Sequence, residues 1–409
     1  MIHRRPALHC RSGRGVIGAL ALLAVLLAVH SAPATEGILL LGDDPIRVGR
    51  AGAAVAAVGD ASWMMFNPAG LDGLDRRLEW GMTVIHSHAT LLTRGIADVP
   101  FCGTMVDDEW NGMPSFGLVL PCESGTFGLG LYIPTGAMVH FPQPRSWVGL
   151  LEGRNDRRQE FMQPRLTLAY AHRFDSGWIL GASVNGSLSV GRTDQITPRL
   201  LPSKGDYKWE AAPGAGFGLG VLRRWERWSF GAALESRQWA ERFGRYSDIS
   251  PHPVDMPATF QTGVGFKVTP TVEIEVDYRF INWSDVKFFH EPSAGAGLGW
   301  HDQHAVMAGV EWTASPRWTF RAGYSHASRA MGDDHLFGSA LVPNVATDHV
   351  GAGFTCRVND RSEVSLALAH FFRGSQTGSN RGDFYARLGT GSESTLQVNW
   401  LSLVYSRKF

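Results

Sequence analysis

The side chains that could do chemistry in this chain are scattered histidines, acids and serines. Among the 15 histidines, the tightest group is His301-Asp302-Gln303-His304, whose donors could hold a metal ion but are more typical of a solvated loop start. No G-x-S-x-G elbow, H-E-x-x-H pair or phosphate-binding loop occurs. The sequence therefore predicts a protein that is not an enzyme, with no cofactor and no metal site.

Charged side chains recur instead on one face of alternating segments. From Val272 to Phe280, apolar residues alternate with acids and an arginine. Successive strand side chains point to opposite faces, so one face of such a strand is apolar and the other charged. If this charged face lines an interior, its mixed charges could pair with one another and hold a segment inserted there, or one arginine could bind a ligand carboxylate. The residues assigned to this inner face are Glu79, Arg165, Arg173, Glu235, Arg237, Glu273, Glu275, Asp277, Arg279, Glu311, Arg321 and Arg357.

A stretch rich in small residues, Asp44 to Leu71, differs from the rest of the chain. Glycine and alanine fill its middle, where small side chains let a backbone pack tightly against another surface. The stretch ends at Asn67-Pro68-Ala69-Gly70, where Pro68 fixes φ, removes a donor and keeps Asn67 out of the helical region. These residues predict a rigid corner before the first strand. A short alanine-rich helix ending in a turn is the alternative.

Three features of this stretch resemble the N-terminal hatch of the FadL family: GRAGAAVA at residues 49–56, the Asp60-Ala61 pair, and Asn67-Pro68-Ala69. FadL-type proteins are outer-membrane channels for long-chain fatty acids and other hydrophobic compounds. Further matches to the family lie at residues 126–136, 276–286 and 320–325. The resemblance therefore covers nearly all of the chain after residue 34. It implies an all-β fold, a 14-stranded antiparallel transmembrane β-barrel with a hatch inside the lumen.

The composition agrees with a lipid-facing β protein. Basic and acidic residues balance at 38 each, so no nucleic-acid partner is indicated. Only 19% of residues are charged, while 48 are glycine and 14 are tryptophan. A mean hydropathy of −0.09 excludes a bundle of membrane helices.

Residues 1–34 have the pattern of a secretory signal peptide. A basic start precedes an apolar run from Val16 to Val29, and Ala32-Pro33-Ala34 forms a cleavage site. The run is short for a membrane span. We predict cleavage there, a hatch over 35–77 and a barrel over 78–409. Three widely spaced cysteines in the mature chain match no zinc pattern, and no disulfide is predicted, although one pair remains possible.

Period-two alternation predicts fourteen strands, an even number that leaves both chain ends on the short-turn side. A soluble sandwich would alternate in the same way. Aromatic residues near strand ends and short turns alternating with long loops favour the membrane barrel. Long loops are predicted near residues 93–112, 139–159, 193–210, 239–256, 283–301, 329–346 and 374–394. Strands are predicted at 78–92, 113–121, 126–138, 160–174, 178–192, 211–224, 228–238, 257–268, 271–282, 302–313, 317–328, 347–358, 362–373 and 395–408.

The last strand ends in Phe409, with Tyr405 on the same face. A terminal aromatic on an amphipathic strand resembles the signal read by the barrel assembly machinery, although Arg407 interrupts the apolar series. We therefore predict a multi-pass protein of the outer membrane of a Gram-negative-type bacterium. The expected partners are outer-membrane lipids and lipopolysaccharide, the assembly machinery and a hydrophobic small-molecule ligand, and the expected state is a monomer.

The resemblance implies passive uptake of hydrophobic molecules such as long-chain fatty acids, with ligand held against the hatch and released sideways beside the third strand. Pro134 and Gly136 could open the wall there, because proline cannot donate to a ladder. Asn67, Pro68 and Ala69 are the predicted gating corner. The apolar hatch residues either form the ligand pocket or merely pack the plug. They are Val55, Val58, Trp63, Met64, Met65 and Phe66.

A second function from another class stays open. Some FadL-like barrels, of the PorV type, are secretion shuttles or scaffolds that conduct no lipid, and they share the small-residue start and the Asn-Pro-Ala corner. Residues 193–210 show little sign of the hydrophobic hairpin that forms an outer landing site in the family. That departure puts long-chain fatty acid in doubt as the specific ligand.

Overall fold

A computed structural model describes residues 36–94, 102–142, 156–195, 197, 203–379, 381–383, 387 and 389–409. The predicted signal peptide lies outside these residues. Within them, no helix has both the length and the apolar character needed to cross a membrane.

The chain folds into a closed antiparallel barrel of fourteen strands, three of which are interrupted. The circle closes because β1 pairs with β14 from Arg77↔Lys408 to Leu92↔Glu393. This confirms the predicted fold class. The strands are β1 Arg77–Arg94, β2 Cys102–Cys122, β3a Gly125–Tyr132 with β3b Gly136–Pro142, β4a Asp156–Met162 with β4b Arg165–Arg173, β5 Trp178–Thr193, β6 Glu210–Arg224, β7 Trp228–Glu235 with Trp239–Ala240, β8 Thr259–Thr269, β9 Val272–Ile281, β10 Gln303–Thr313, β11 Trp318–Ala327, β12 Asp348–Asn359, β13 Ser362–Thr377 and β14 Glu393–Lys408.

The alternation has the predicted sense, with apolar side chains outward. On β9, Ile274 and Val276 are 42% and 53% exposed, whereas Glu275 and Asp277 are each 1% exposed. Outward apolar residues face hydrocarbon in a membrane barrel, and inward charges avoid it. At the short-turn end, aromatic rings pack side by side, as Trp80 does on Tyr405 with centroids 6.2 Å apart.

The largest error among the predicted strand boundaries is at β2, which begins at Cys102, so most of the predicted loop at 93–112 is strand. The consecutive acids Asp107, Asp108 and Glu109 gave this run the composition of a loop. The run nevertheless pairs with β1 in unbroken register, from Thr104↔Leu92 to Val119↔Arg77. Away from the apolar band both faces of a strand can be polar, so period-two alternation loses its signal there.

The N-terminal residues lie inside the barrel, and we call residues 36–76 the inner segment. It contains two short helices, α1 Pro45–Gly49 and α2 Trp63–Phe66, and a 3₁₀ turn at Pro68–Leu71. Asp44 caps α1 by accepting a hydrogen bond from the Arg47 N–H at 2.6 Å. The alanines of the inner segment are almost fully buried, with Ala51, Ala53 and Ala61 at 0% exposure.

The barrel wall has glycine where the backbone of the inner segment touches it. A Cβ built on Gly181 of β5 would lie 2.1 Å from the Ala69 nitrogen, and one on Gly351 of β12 would lie 2.1 Å from the Val48 oxygen. Small residues therefore face each other across this interface, and the inner segment lies closer to the wall than any side chain would allow.

Candidate functional site

Acidic side chains of the wall hold the backbone of the inner segment. Asp277 Oδ2 accepts hydrogen bonds from the amides of Ala54 and Val55, both at 2.9 Å. Glu275 Oε1 accepts from the Ala56 amide at 2.6 Å. Buried backbone donors need partners, and a segment with little helix has few of its own. The carboxylates of β9 supply them.

The arginines predicted to face the lumen all pair with carboxylates. Arg321 Nε lies 2.7 Å from Glu311 Oε2, and Arg50 of the inner segment lies 2.6 Å from Glu275. These pairs balance the guanidinium charges from within the protein, which favours the structural interpretation over a ligand-binding arginine. The six pairs are Arg165–Glu235, Arg173–Asp72, Arg237–Asp255, Arg279–Glu36, Arg321–Glu311 and Arg357–Glu363.

Two of the six predicted pocket residues pack within the inner segment or under its arginine, and a third lies in a cluster that also contains wall residues. Trp63 covers Gly59 and Gly70, and its Nε1 donates to the Ala57 oxygen at 3.1 Å. The Phe66 ring lies 3.7 Å from the Arg47 guanidinium carbon. Met65 belongs to a buried apolar cluster.

The other three touch the wall or a polar cavity. Met64 packs against Gly128 and Gly130 of β3a, and Val55 packs against Gly263 of β8. Val58 is half-buried and lines a partly open polar cavity near the short turns. The six side chains thus point in several directions, and their role in ligand binding stays a prediction.

The Asn-Pro-Ala corner lies against β5 and β6. Asn67 is fully buried, and its Nδ2 donates to the Val55 oxygen at 2.8 Å and to the Val221 oxygen of β6 at 3.3 Å. Its Oδ1 accepts from the Ala69 amide at 3.2 Å. One amide therefore joins two turns of the inner segment to the wall, where Pro68 has no donor to offer.

We expect Asn67→Ala to loosen the corner, because three hydrogen bonds are lost and the buried Val55 carbonyl loses its Asn67 donor. Small-ion conductance of the purified protein in planar bilayers should rise several-fold. Asn359→Ala, in an exposed turn, is the control and should leave conductance unchanged. Equal conductance in both folded variants would contradict a gating role for Asn67.

Carboxylates crowd a small cavity between the inner segment and β1–β3. Asp43, Asp44, Asp60, Glu79 and Tyr132 line this space of about 210 Å³. Within the described residues, one carboxylate oxygen of each aspartate and the Tyr132 hydroxyl have no hydrogen-bond partner. Burial raises the pKa of Asp43 to about 7. Burial, and then the neighbouring charge of Asp60, raise the pKa of Asp44 well above its usual range.

These shifts predict a pH dependence of the inner segment. A carboxyl with a raised pKa binds more protons in the folded state, so its contribution to stability falls as pH rises from about 4 to about 7. Asp43→Asn should remove much of that loss, since its oxygen can still accept from the Ile133 amide, which lies 3.1 Å from Asp43 Oδ2.

Hydrogen exchange of inner-segment amides at pH 5 and pH 8, corrected for intrinsic rates, measures this effect. Protection in the wild type should drop by roughly tenfold or more over this range, and by less in Asp43→Asn. Asp175→Asn, in an exposed turn, is the control. The same drop in Asp43→Asn as in the wild type would refute the assignment.

The third strand breaks at Pro134, and the start of the inner segment fills the break. Leu40 N–H donates to the Pro134 oxygen at 2.9 Å, and Gly136 N–H donates to the Ile38 oxygen at 3.1 Å. The alternation changes phase there: Tyr132 faces inward on β3a and Ala137 faces inward on β3b, at 3% exposure each. The break therefore adds one residue to the strand. It lies against residues 38–43, whereas the Asn67 corner lies at β5 and β6.

Beyond the break, side chains rather than a ladder join β2 to β3b. The β2–β3a ladder ends at Phe116↔Leu131, and in the described residues β3b pairs only with β4a. His140 N–H of β3b donates to Asp107 Oδ1 of β2 at 2.9 Å. Residues 110–115 of β2 and 132–139 of the third strand therefore have no backbone ladder between them. We call this interruption the wall gap.

The long-loop side of the barrel contains a partly open apolar cavity, which we call the outer cavity. The start of the inner segment lies at its floor. The sequence interpretation missed it because four separate loops and several strand ends build it; the aromatic residues within otherwise polar loops were the available signal. Its apolar lining residues are Ile38, Ala137, Phe161, Phe243, Ile249, Val254, Phe288, Phe289, Leu298 and Val342.

The two basic residues that line the outer cavity already have partners. Arg192 pairs with Glu160, and its guanidinium carbon lies 4.4 Å and 4.5 Å from the ring centres of Tyr207 and Trp209. His252 Nε2 lies 2.9 Å from a Glu291 carboxylate oxygen. The cavity therefore offers an apolar surface without an available positive charge among its described lining residues.

Comparison with known proteins supports the resemblance found in the sequence. Residues 250–409 match the model of a family described as outer membrane protein transport protein (OMPP1/FadL/TodX). Among curated proteins, no sequence matches the chain. The Pseudomonas putida toluene transporter TodX superimposes with a TM-score of 0.68 at 14% identity, covering 93% of this chain and 99% of that one.

Two further solved structures share the fold. A Pseudomonas aeruginosa FadL homologue gives a TM-score of 0.65 at 14% identity, with coverage of 91% and 100%. The Ralstonia pickettii toluene transporter TbuX gives 0.64 at 16% identity, with coverage of 90% and 99%. The family match over residues 250–409 and the shared barrel fold agree with the predicted FadL-type resemblance and with the predicted location in the outer membrane.

Proposed function

We propose that this outer-membrane barrel of the FadL/TodX type is a passive channel for uncharged hydrophobic small molecules, which bind in the outer cavity and leave sideways through the wall gap. The observation that carries the proposal is the outer cavity, a partly open space on the long-loop side that is lined mainly by apolar side chains. Burial of apolar ligand surface there supplies affinity of about 25 cal/mol per Å². No energy source is required.

The charge of the ligand follows from the lining. A carboxylate buried in an apolar cavity needs a cation or several donors, and Arg192 and His252 are occupied by Glu160 and Glu291. A fatty-acid anion would have to displace one of these pairs, whereas a hydrocarbon would not. The toluene transporters that share this fold are named for an uncharged aromatic ligand, which agrees with this choice.

The route out of the cavity follows from the third strand. Ala137 lines the outer cavity and lies in the wall gap. Ile38 of the inner segment also lines the cavity, and its oxygen accepts a hydrogen bond from the Gly136 amide of the gap. No water in the bilayer core can satisfy orphaned backbone groups, so an interrupted ladder is tolerated where protein covers it. Residues 38–40 provide that cover, and a small movement of this strand end would uncover the gap.

Uptake by intact cells tests the proposal. In a strain without its own hydrophobic channels, cells that express the protein should take up radiolabelled p-xylene at least several-fold faster than cells with empty vector. Ala137→Phe should slow uptake by filling the floor of the outer cavity, and a fatty-acid methyl ester should compete better than the free anion. Uptake equal to that of vector cells would refute the proposal. A stable complex with an exported protein would then support the shuttle or scaffold function.

A further inference from the structure

Asn111 of β2 is buried in the wall gap, and its side-chain amide has no hydrogen-bond partner among the described residues. It is 5% exposed, and among the described residues neither its Nδ2 nor its Oδ1 has a partner. It faces inward, because the preceding Trp110 is 63% exposed on the lipid side. Leaving both ends of an amide unpaired is costly, and such a group in a native protein points to a partner that binds there.

Thr135 of the third strand has the same property. It is fully buried, and its hydroxyl has no partner in the described part of the chain. Its backbone oxygen accepts from the Gln163 amide at 3.0 Å, so the residue is fixed in place. A fixed and unpaired hydroxyl can donate or accept.

These two residues lie on the two borders of the wall gap, Asn111 on β2 and Thr135 at the break of the third strand. On β2, Asn111 lies between Phe116, the last ladder residue, and Glu109, which contacts His140. On β3, Thr135 lies between Leu131 and that same His140. The surroundings are apolar, since the buried cluster here includes Leu40, Ile85, Met113, Ala137 and Val139.

We infer that Asn111 and Thr135 form a hydrogen-bonding site that selects ligands with one uncharged polar group, such as a phenol, alcohol or ketone, as they pass the wall gap. This rests on the proposed function and adds a selection step to it. The apolar body of the ligand fits the outer cavity, and its hydroxyl or carbonyl pairs with the Asn111 amide. A pure hydrocarbon passing the gap leaves the amide unpaired and gains nothing from it.

The test compares p-cresol with p-xylene, which share a shape and differ by a hydroxyl in place of a methyl group. Initial uptake of each radiolabelled probe is measured in cells expressing the wild type, Asn111→Leu or Thr135→Val, with vector cells subtracted. We expect the p-cresol to p-xylene ratio to fall roughly tenfold in Asn111→Leu and by less in Thr135→Val. Asn359→Leu, in an exposed turn, should keep the wild-type ratio.

A ratio that stays at the wild-type value in both variants overturns the inference and means that ordered water satisfies the two side chains. An equal loss of both probes in folded, heat-modifiable barrels also overturns it, because a selecting residue affects one probe. Neither result contradicts the proposed function, provided that wild-type cells take up p-xylene. If wild-type cells take up neither probe, the proposed channel function is refuted, and the inference that rests on it is refuted with it.

Discussion

Gly181→Ala should displace the inner segment and raise small-ion conductance in planar bilayers by roughly ten- to hundredfold, the shift that overpacking of 1–3 kcal/mol gives. The new methyl group would lie 2.1 Å from the Ala69 nitrogen and 2.3 Å from the Pro68 carbonyl carbon. Both are backbone atoms of the Asn-Pro-Ala corner, which Asn67 ties to Val221 of β6. Backbone held in this way cannot yield by a rotamer change.

Gly186→Ala on the same strand is the matched control, because a methyl group there meets nothing within 4 Å. It should leave conductance at the wild-type value and confirm that alanine in β5 does not itself disturb the barrel. Both variants should keep heat-modifiable mobility, since the ladders of β5 do not involve the inner segment. Closed Gly181→Ala channels would show that the inner segment is free to shift within the lumen without opening a path.

The double variant Pro134→Val with Gly136→Val should abolish most of the channel-dependent uptake of p-xylene while the barrel stays folded. Valine at position 134 restores a backbone donor, and valine at position 136 favours extended geometry. Together they should let β3 continue along β2 and close the wall gap. A Cβ at Gly136 is sterically allowed, as its nearest contact is the Phe161 oxygen at 3.5 Å. The loss should therefore come from a narrower gap rather than from a clash.

Pro213→Val provides the control, because Pro213 lies in a continuous part of β6, opposite Leu188. Its uptake should match the wild type. Full uptake by the Pro134→Val, Gly136→Val barrel would place the exit elsewhere, for example through the polar cavity near the short turns. A loss in both proline variants would mean that wall prolines matter for assembly and not for release.

The sequence alone was enough for the barrel and for the character of its two faces. Alternation is a local property of each strand, so Ile274 and Glu275 reveal opposite faces without knowledge of the fold. The small residues of Asp44–Leu71 likewise indicated a segment packed against a wall. The alternation failed at Asp107 to Glu109, where both faces of β2 are polar and the pattern that defines a strand disappears.

Only the tertiary structure decided which groups meet. The bond from Ala54 to Asp277 joins residues 223 positions apart, and nothing local to either residue specifies that pairing. The outer cavity combines side chains from four loops, and the wall gap depends on one added residue at Pro134 that changes which side chains of β3b face inward. Composition and periodicity act over a few residues, whereas cavities and registers arise when the barrel closes. That is why the predicted hatch residues were found packed in several places, and why Asn111, an ordinary polar residue in sequence, became notable only through its burial.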